Sequence, residues 1–214
     1  MIFRFIAPLA VLILTGWLTF RRFKKSAAPT YLSWLIGRAR AILSGPGRRA
    51  LVTLGRARLA AYSESWLRWT FIGLTSSFSY LAASGLGFAV FSRRGLHGLP
   101  LLLHVVAGGA FAASLTVIIV FRSRFHLSFS PPGGLNNPGL RSYWKSPSRQ
   151  FLQSAVFWIF GISGLTLIVT SLGSMMPYFS YEAQLDLLVA HRYAALISIL
   201  AAMVWLDTVL SSEN

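Results

Sequence analysis

Residues 2–20, 66–91, 99–121, 151–174 and 184–206 are each long, apolar and almost free of charge, and a helix that crosses a bilayer needs about 20 such residues. Hydrocarbon offers the backbone no hydrogen-bond partner, so segments of this kind close their own N–H···O=C bonds as helices. The composition agrees, with 55% of residues hydrophobic and 12% charged, about half the charged share of a soluble domain. The chain therefore reads as an all-α integral membrane protein. The last four stretches form a four-helix bundle, and the first is an additional N-terminal transmembrane helix attached to one side.

Three regions follow: an N-terminal helix over residues 1–20, a basic segment over 21–62, and the bundle over 63–214. The first stretch is expected to be retained, because its basic cluster Arg21, Arg22, Lys24 and Lys25 lies after the apolar run and no small-residue cleavage site follows. Residues 31–43 and 48–61 mix arginines with Leu, Ile, Val, Trp and Ala, a pattern for short amphipathic helices in the membrane interface. The net charge of +15 would suggest nucleic acid in a soluble protein. Here the cations sit beside apolar spans, so anionic lipids, above all along 21–62, account for them without any nucleic acid.

The same cations orient the chain. Residues 21–62 carry ten Lys or Arg, the 122–150 connection carries Arg122, Arg124, Arg141, Lys145 and Arg149, and the 175–183 connection carries none. By the positive-inside rule the basic segment, the long connection and the C-terminus face the cytoplasm, with the N-terminus outside. Arg93 and Arg94, in an outer connection, depart from the rule. No sequence repeat is evident.

Two histidines give the site hypothesis. His104 and His191 each lie about one and a half turns inside the N-terminal end of a span, and those two spans run in the same direction. An ionisable residue at membrane depth points to function, and two imidazoles at one depth on parallel helices suit axial ligation of one b-type haem. The chain has no cysteine, which excludes iron–sulfur ligation, covalent c-type haem and thiolate zinc sites by its own residues. Arg192 follows His191 directly and, with Arg93 and Arg94, is expected to compensate haem propionates. Gly108 and Gly109 beyond His104, Ala194 and Ala195 beyond His191, and Gly85, Gly87, Gly161 and Gly164 on the facing spans are expected to leave room for a flat ring. His97 precedes Pro100 and is assigned to a loop, while His126 has no evident partner. Met175 and Met176 read as interfacial packing residues.

The stretches GLHGLPLLLHVVAGGAF, FGISGLTLIVTSLGSMMPYF and LLVAHRYAALISILAAMVW resemble the four-helix cytochrome b subunits that anchor formate dehydrogenases and nickel–iron hydrogenases. The resemblance covers about residues 66–210. It implies a histidine ligand near the start of the second bundle helix, His104, and a His-Arg pair opening the last, His191 and Arg192. It also implies a bacterial inner membrane, electron exchange with the quinone pool or another membrane carrier, and a peripheral iron–sulfur or multihaem c-type subunit on the outer face. Members of that family usually hold two haems, with one ligand on the first bundle helix; residues 66–91 contain no histidine, so a single bis-histidine haem is expected. With both axial positions filled, such a haem transfers single electrons and activates no substrate, which makes the chain an electron-transfer subunit. Two other readings stay open: a cofactor-free scaffold or assembly subunit of a respiratory or photosynthetic complex, and a small transporter, for which polar residues within the spans are few.

Overall fold

The computed structural model describes residues 2–24, 33, 36–37, 65–91, 97–126 and 149–210. Among them there is no strand, and five long helices follow in order: α1 (Phe3–Lys24), α2 (Ser65–Phe91), α3 (Gly98–His126), α4 (Arg149–Met175) and α5 (Tyr181–Leu210). The interfacial helices expected within 21–62, Arg93 and Arg94, and most of the 122–150 connection lie outside the described residues.

Four helices are long and apolar enough to cross a membrane: Phe3–Lys24, Gly98–Ser123, Phe151–Met175 and Tyr181–Thr208. These mark a multi-pass membrane protein. The fifth expected span, α2, is as long but is not among these four, and serines and threonines recur along it. Its hydroxyls are turned onto its own backbone: Thr70 Oγ1 donates to Trp66 O at 3.0 Å, Ser77 Oγ to Gly73 O at 2.6 Å and Ser79 Oγ to Thr75 O at 2.7 Å. Such bonds let a hydroxyl-rich helix sit in an apolar setting without orphaned donors. Across the molecule large apolar side chains face outward, among them Leu12, Val106, Ile162 and Val169, the inverse of a soluble surface.

Helix ends are set by local signals. Gly98 takes φ +62°, a left-handed conformation open to glycine, and α3 begins there with Pro100 in its first turn, leaving exposed His97 outside the helix. Ser180 caps α5: its Oγ accepts from Ala183 N at 3.3 Å and its carbonyl from Gln184 N at 3.0 Å. Gln184 Nε2 donates back to Met176 O at 3.0 Å. The α4–α5 connection is thereby tied down, and with it the register of the two helices.

Consecutive helices α2 to α5 pack as antiparallel neighbours. Trp66 meets Phe121 with ring centroids 4.8 Å apart at one end of α2/α3, and Ser84 meets His104 at the other. Between α4 and α5, buried Ser198 Oγ donates to buried Ser163 Oγ at 2.7 Å. Small residues bring these helices close: a Cβ on Gly164 would stand 2.5 Å from Leu115 Cδ2 and one on Gly173 would stand 2.9 Å from Leu187 Cδ1. The core is Leu74, Phe111, Leu115 and Ile118, joined by Phe78 and Phe160.

Helix α1 packs against both α5 and α2, alongside the place where Phe71 and Trp205 bring those two helices together at 6.1 Å. Phe3 stacks edge-on against Tyr193 at 5.4 Å near one end, and Arg22 pairs with Asp207 at 2.6 Å at the other. Helices α1, α3 and α5 therefore run one way, and α2 and α4 the other.

Candidate functional site

Both histidines of interest sit in the bundle with one ring nitrogen engaged. His104 Nδ1 lies 2.8 Å from Ser84 Oγ of α2. His191 Nδ1 lies 3.2 Å from Thr170 Oγ1 and 3.3 Å from Leu167 O, both on α4. A carbonyl only accepts, so His191 carries its proton on Nδ1. Neither Nε2 has a hydrogen-bond partner among the described residues.

The helix registers bring these rings to one height. Gly164 of α4 lies against Phe111 and Leu115 of α3, and Thr170 is six residues further along α4, in the direction in which α3 runs back toward His104. The imidazoles are thus within about one helical turn of the same level. The two histidine helices, α3 and α5, are not close-packed neighbours, so their backbones stay apart at this level.

The glycines divide into two groups, which corrects the expectation that all of them leave space. Gly161 faces Ile119 and Gly164 faces Leu115 and Phe111, so both serve the α3–α4 contact and open nothing. Buried Ala194 is likewise part of the packing. By contrast, a Cβ on Gly87 or Gly108 would meet nothing within 4 Å, one on Gly85 would lie 3.5 Å from His104 Cε1, and Gly109 is exposed on the outer face of α3. Space therefore exists beside His104, and the half of the bundle beyond Phe111 is filled.

Arg192 is exposed beside His191, with no ion pair among the described residues. Met175 and Met176 are exposed at the end of α4, and His126 is the last residue of α3. Among the described residues no group of three or more His, Cys, Asp or Glu side chains could hold a metal ion.

Sequence reading missed the partners of both histidines and the pattern they make. Ser84 precedes His104 by 20 residues and Thr170 precedes His191 by 21. Around them Phe71, Ser77, Leu81 and Gly87 of α2 match Phe157, Ser163, Leu167 and Gly173 of α4 at one constant offset. The bundle is two helical hairpins of similar design, each delivering one hydroxyl and one histidine. The matching residues are scattered among variable apolar positions, so the correspondence shows only when the hydrogen bonds align it. Comparisons with family models, with curated proteins and with solved structures each find no match.

Proposed function

We propose that this chain is a membrane-embedded b-type cytochrome subunit, with His104 and His191 as the axial ligands of one haem. The observation that carries the reading is the pair of imidazoles at one level, each held through Nδ1 and each with Nε2 unengaged among the described residues. A ligating histidine fixed through its other nitrogen is the usual arrangement of a metal-binding imidazole. The space beside Gly87 and Gly108 is compatible with a planar ring, and the resemblance of residues 66–210 to hydrogenase and formate dehydrogenase cytochromes b points the same way.

When bound with two imidazoles, haem supplies reversible one-electron transfer and no open coordination position. This chain's own part is to hold the two nitrogens, exclude water with the Phe78, Phe111 and Phe160 cluster, and set the local charge. Arg192, together with Arg93 and Arg94 of the 92–96 connection, is suited to propionates at the polar end of the pocket. In this reading the histidine end faces outward in a bacterial inner membrane and meets a peripheral iron–sulfur or multihaem c-type subunit. Quinone or another membrane carrier is the second partner, and the basic 21–62 segment lies on anionic lipid.

A cofactor-free scaffold is the second reading. It is favoured by the fact that Ser84 and Thr170 already satisfy Nδ1 of each histidine across a helix interface, as they would if the histidines only joined helices. The absorption spectrum of purified, dithionite-reduced protein separates the two. The cytochrome reading expects b-type bands, and expects His104→Ala or His191→Ala, made singly, to lose most of the haem in a pyridine haemochrome assay. Full occupancy in either variant, or no haem in the parent protein, refutes it.

A further inference from the structure

The two hairpins anchor their histidines by the same device but with unequal strength. Ser84 Oγ donates to Tyr80 O at 2.7 Å, the bond a hydroxyl makes to its own helix. Its proton is thereby committed, and its lone pairs are free to accept from His104 Nδ1–H at 2.8 Å. Thr170 Oγ1 repeats the arrangement, donating to Thr166 O at 2.7 Å and lying 3.2 Å from His191 Nδ1. His191 has a second acceptor, Leu167 O at 3.3 Å. For His104 no second acceptor exists among the described residues.

We propose that Ser84 alone holds the His104 imidazole in the Nδ1–H tautomer, that Thr170 shares this task with Leu167 O at His191, and that the two Nε2 lone pairs are thereby kept available for one shared ligand, with Ser84 the indispensable positioning residue. The recurrence of the device in both hairpins, at nearly equal spacing, argues against a chance contact at either one. Only an unprotonated nitrogen can ligate, so the tautomer decides whether the site works at all. Gly85, next to Ser84, lies against the same ring, and a Cβ there would stand 3.5 Å from His104 Cε1.

The haem-ligand part of this proposal rests on the reading given under Proposed function, whereas the tautomer part stands on the apoprotein. The test is a long-range ¹⁵N–¹H spectrum of ¹⁵N-histidine-labelled protein in micelles, at a pH where imidazole is neutral. The four histidines are assigned by single substitution. Wild-type His104 and His191 are expected as Nδ1–H tautomers. Ser84→Ala is expected to move His104 toward the Nε2–H form that free imidazole favours in water, and Ser84→Thr to restore it. Thr170→Ala is expected to leave His191 in the Nδ1–H form, because Leu167 O still accepts.

In haem-loaded protein, Ser84→Ala is expected to weaken haem binding about tenfold, as loss of a ligand's hydrogen-bond partner does elsewhere. Thr170→Ala is expected to have the smaller effect. A wild-type His104 protonated on Nε2, an unchanged His104 in Ser84→Ala, or a larger haem loss in Thr170→Ala overturns the proposal; the first needs no variant to fold. Two Nδ1–H tautomers in a chain that takes up no haem uphold the positioning role and refute the cytochrome reading instead.

Discussion

The two ends of the bundle are held together by different physics. At the histidine end, hydrogen bonds from the two Nδ1–H groups to Ser84, Thr170 and Leu167 fix two rings, and Gly87 and Gly108 leave open space. Beyond Phe111 the interior is closed by apolar side chains. Leu115 is 1% exposed and Phe111 2%, and at the far end Arg22 reaches Asp207, whose side chain is 7% exposed. Directional polar contacts specify orientation at modest energy, while packing and a buried ion pair supply stability. The bundle thus keeps its hydrogen-bonded histidines apart from the closely packed part of its interior.

The ion pair offers the largest handle on this contrast. Arg22→Met leaves a buried carboxylate whose nearest remaining cation, Arg21, is 4.0 Å away and half-exposed, and removing one partner of a buried pair costs about 3 kcal/mol. Denaturation of the purified protein in detergent should show that loss. Adding Asp207→Leu should recover most of it, since an apolar pair carries no desolvation cost. A stability unchanged by Arg22→Met would show that Arg21 takes over the carboxylate.

Glycine substitutions set the two ends against each other by sign. A Cβ at Gly164 would press on Leu115 and Phe111, which are buried too deeply to yield, so Gly164→Ala should destabilise by about 1–3 kcal/mol. Gly108→Ala meets nothing and replaces the weaker helix former, so the apoprotein should gain up to about 1 kcal/mol. Thermal melts of the two variants without cofactor make the comparison. The same sign for both would mean that the histidine end is as tightly packed as the rest.

The smallest effect is expected at the α4–α5 seam. Ser198→Ala removes the donor to Ser163 Oγ, but Ser163 still donates to Phe160 O at 3.1 Å. Hydrogen bonds between membrane helices average about 0.6 kcal/mol, and a loss of that order in the same denaturation assay is the expected outcome. A loss as large as that of Arg22→Met would place a single buried hydroxyl contact on a level with the ion pair.

The candidate site was half legible. His104 and His191 stood out because an ionisable group in an apolar run is conspicuous without any knowledge of its neighbours. Ser84 and Thr170 did not, since hydroxyls are common in apolar helices and bond to their own backbone, as Thr70, Ser77 and Ser79 do. Asp207 was equally silent. Its partner Arg22 lies 185 residues away, and nothing local marks the two as neighbours.

Hydropathy along the chain determined by itself that the protein is helical and multi-pass, where most of its helices begin and end, and which histidines lie within apolar helices. These are local properties, since a span's length, its turn residues and its own backbone bonds are all contained in consecutive sequence. The tertiary structure decided which faces meet: that Gly164 packs while Gly108 stays open, that α1 is tied to α5 by Arg22 and Asp207, and that each histidine is met by a hydroxyl from the helix before it. In an apolar chain almost every helical face is greasy enough to face lipid or protein, so hydrophobic periodicity cannot choose between them. Steric fit at small residues and a few directional hydrogen bonds make that choice, and they exist only once the helices are side by side.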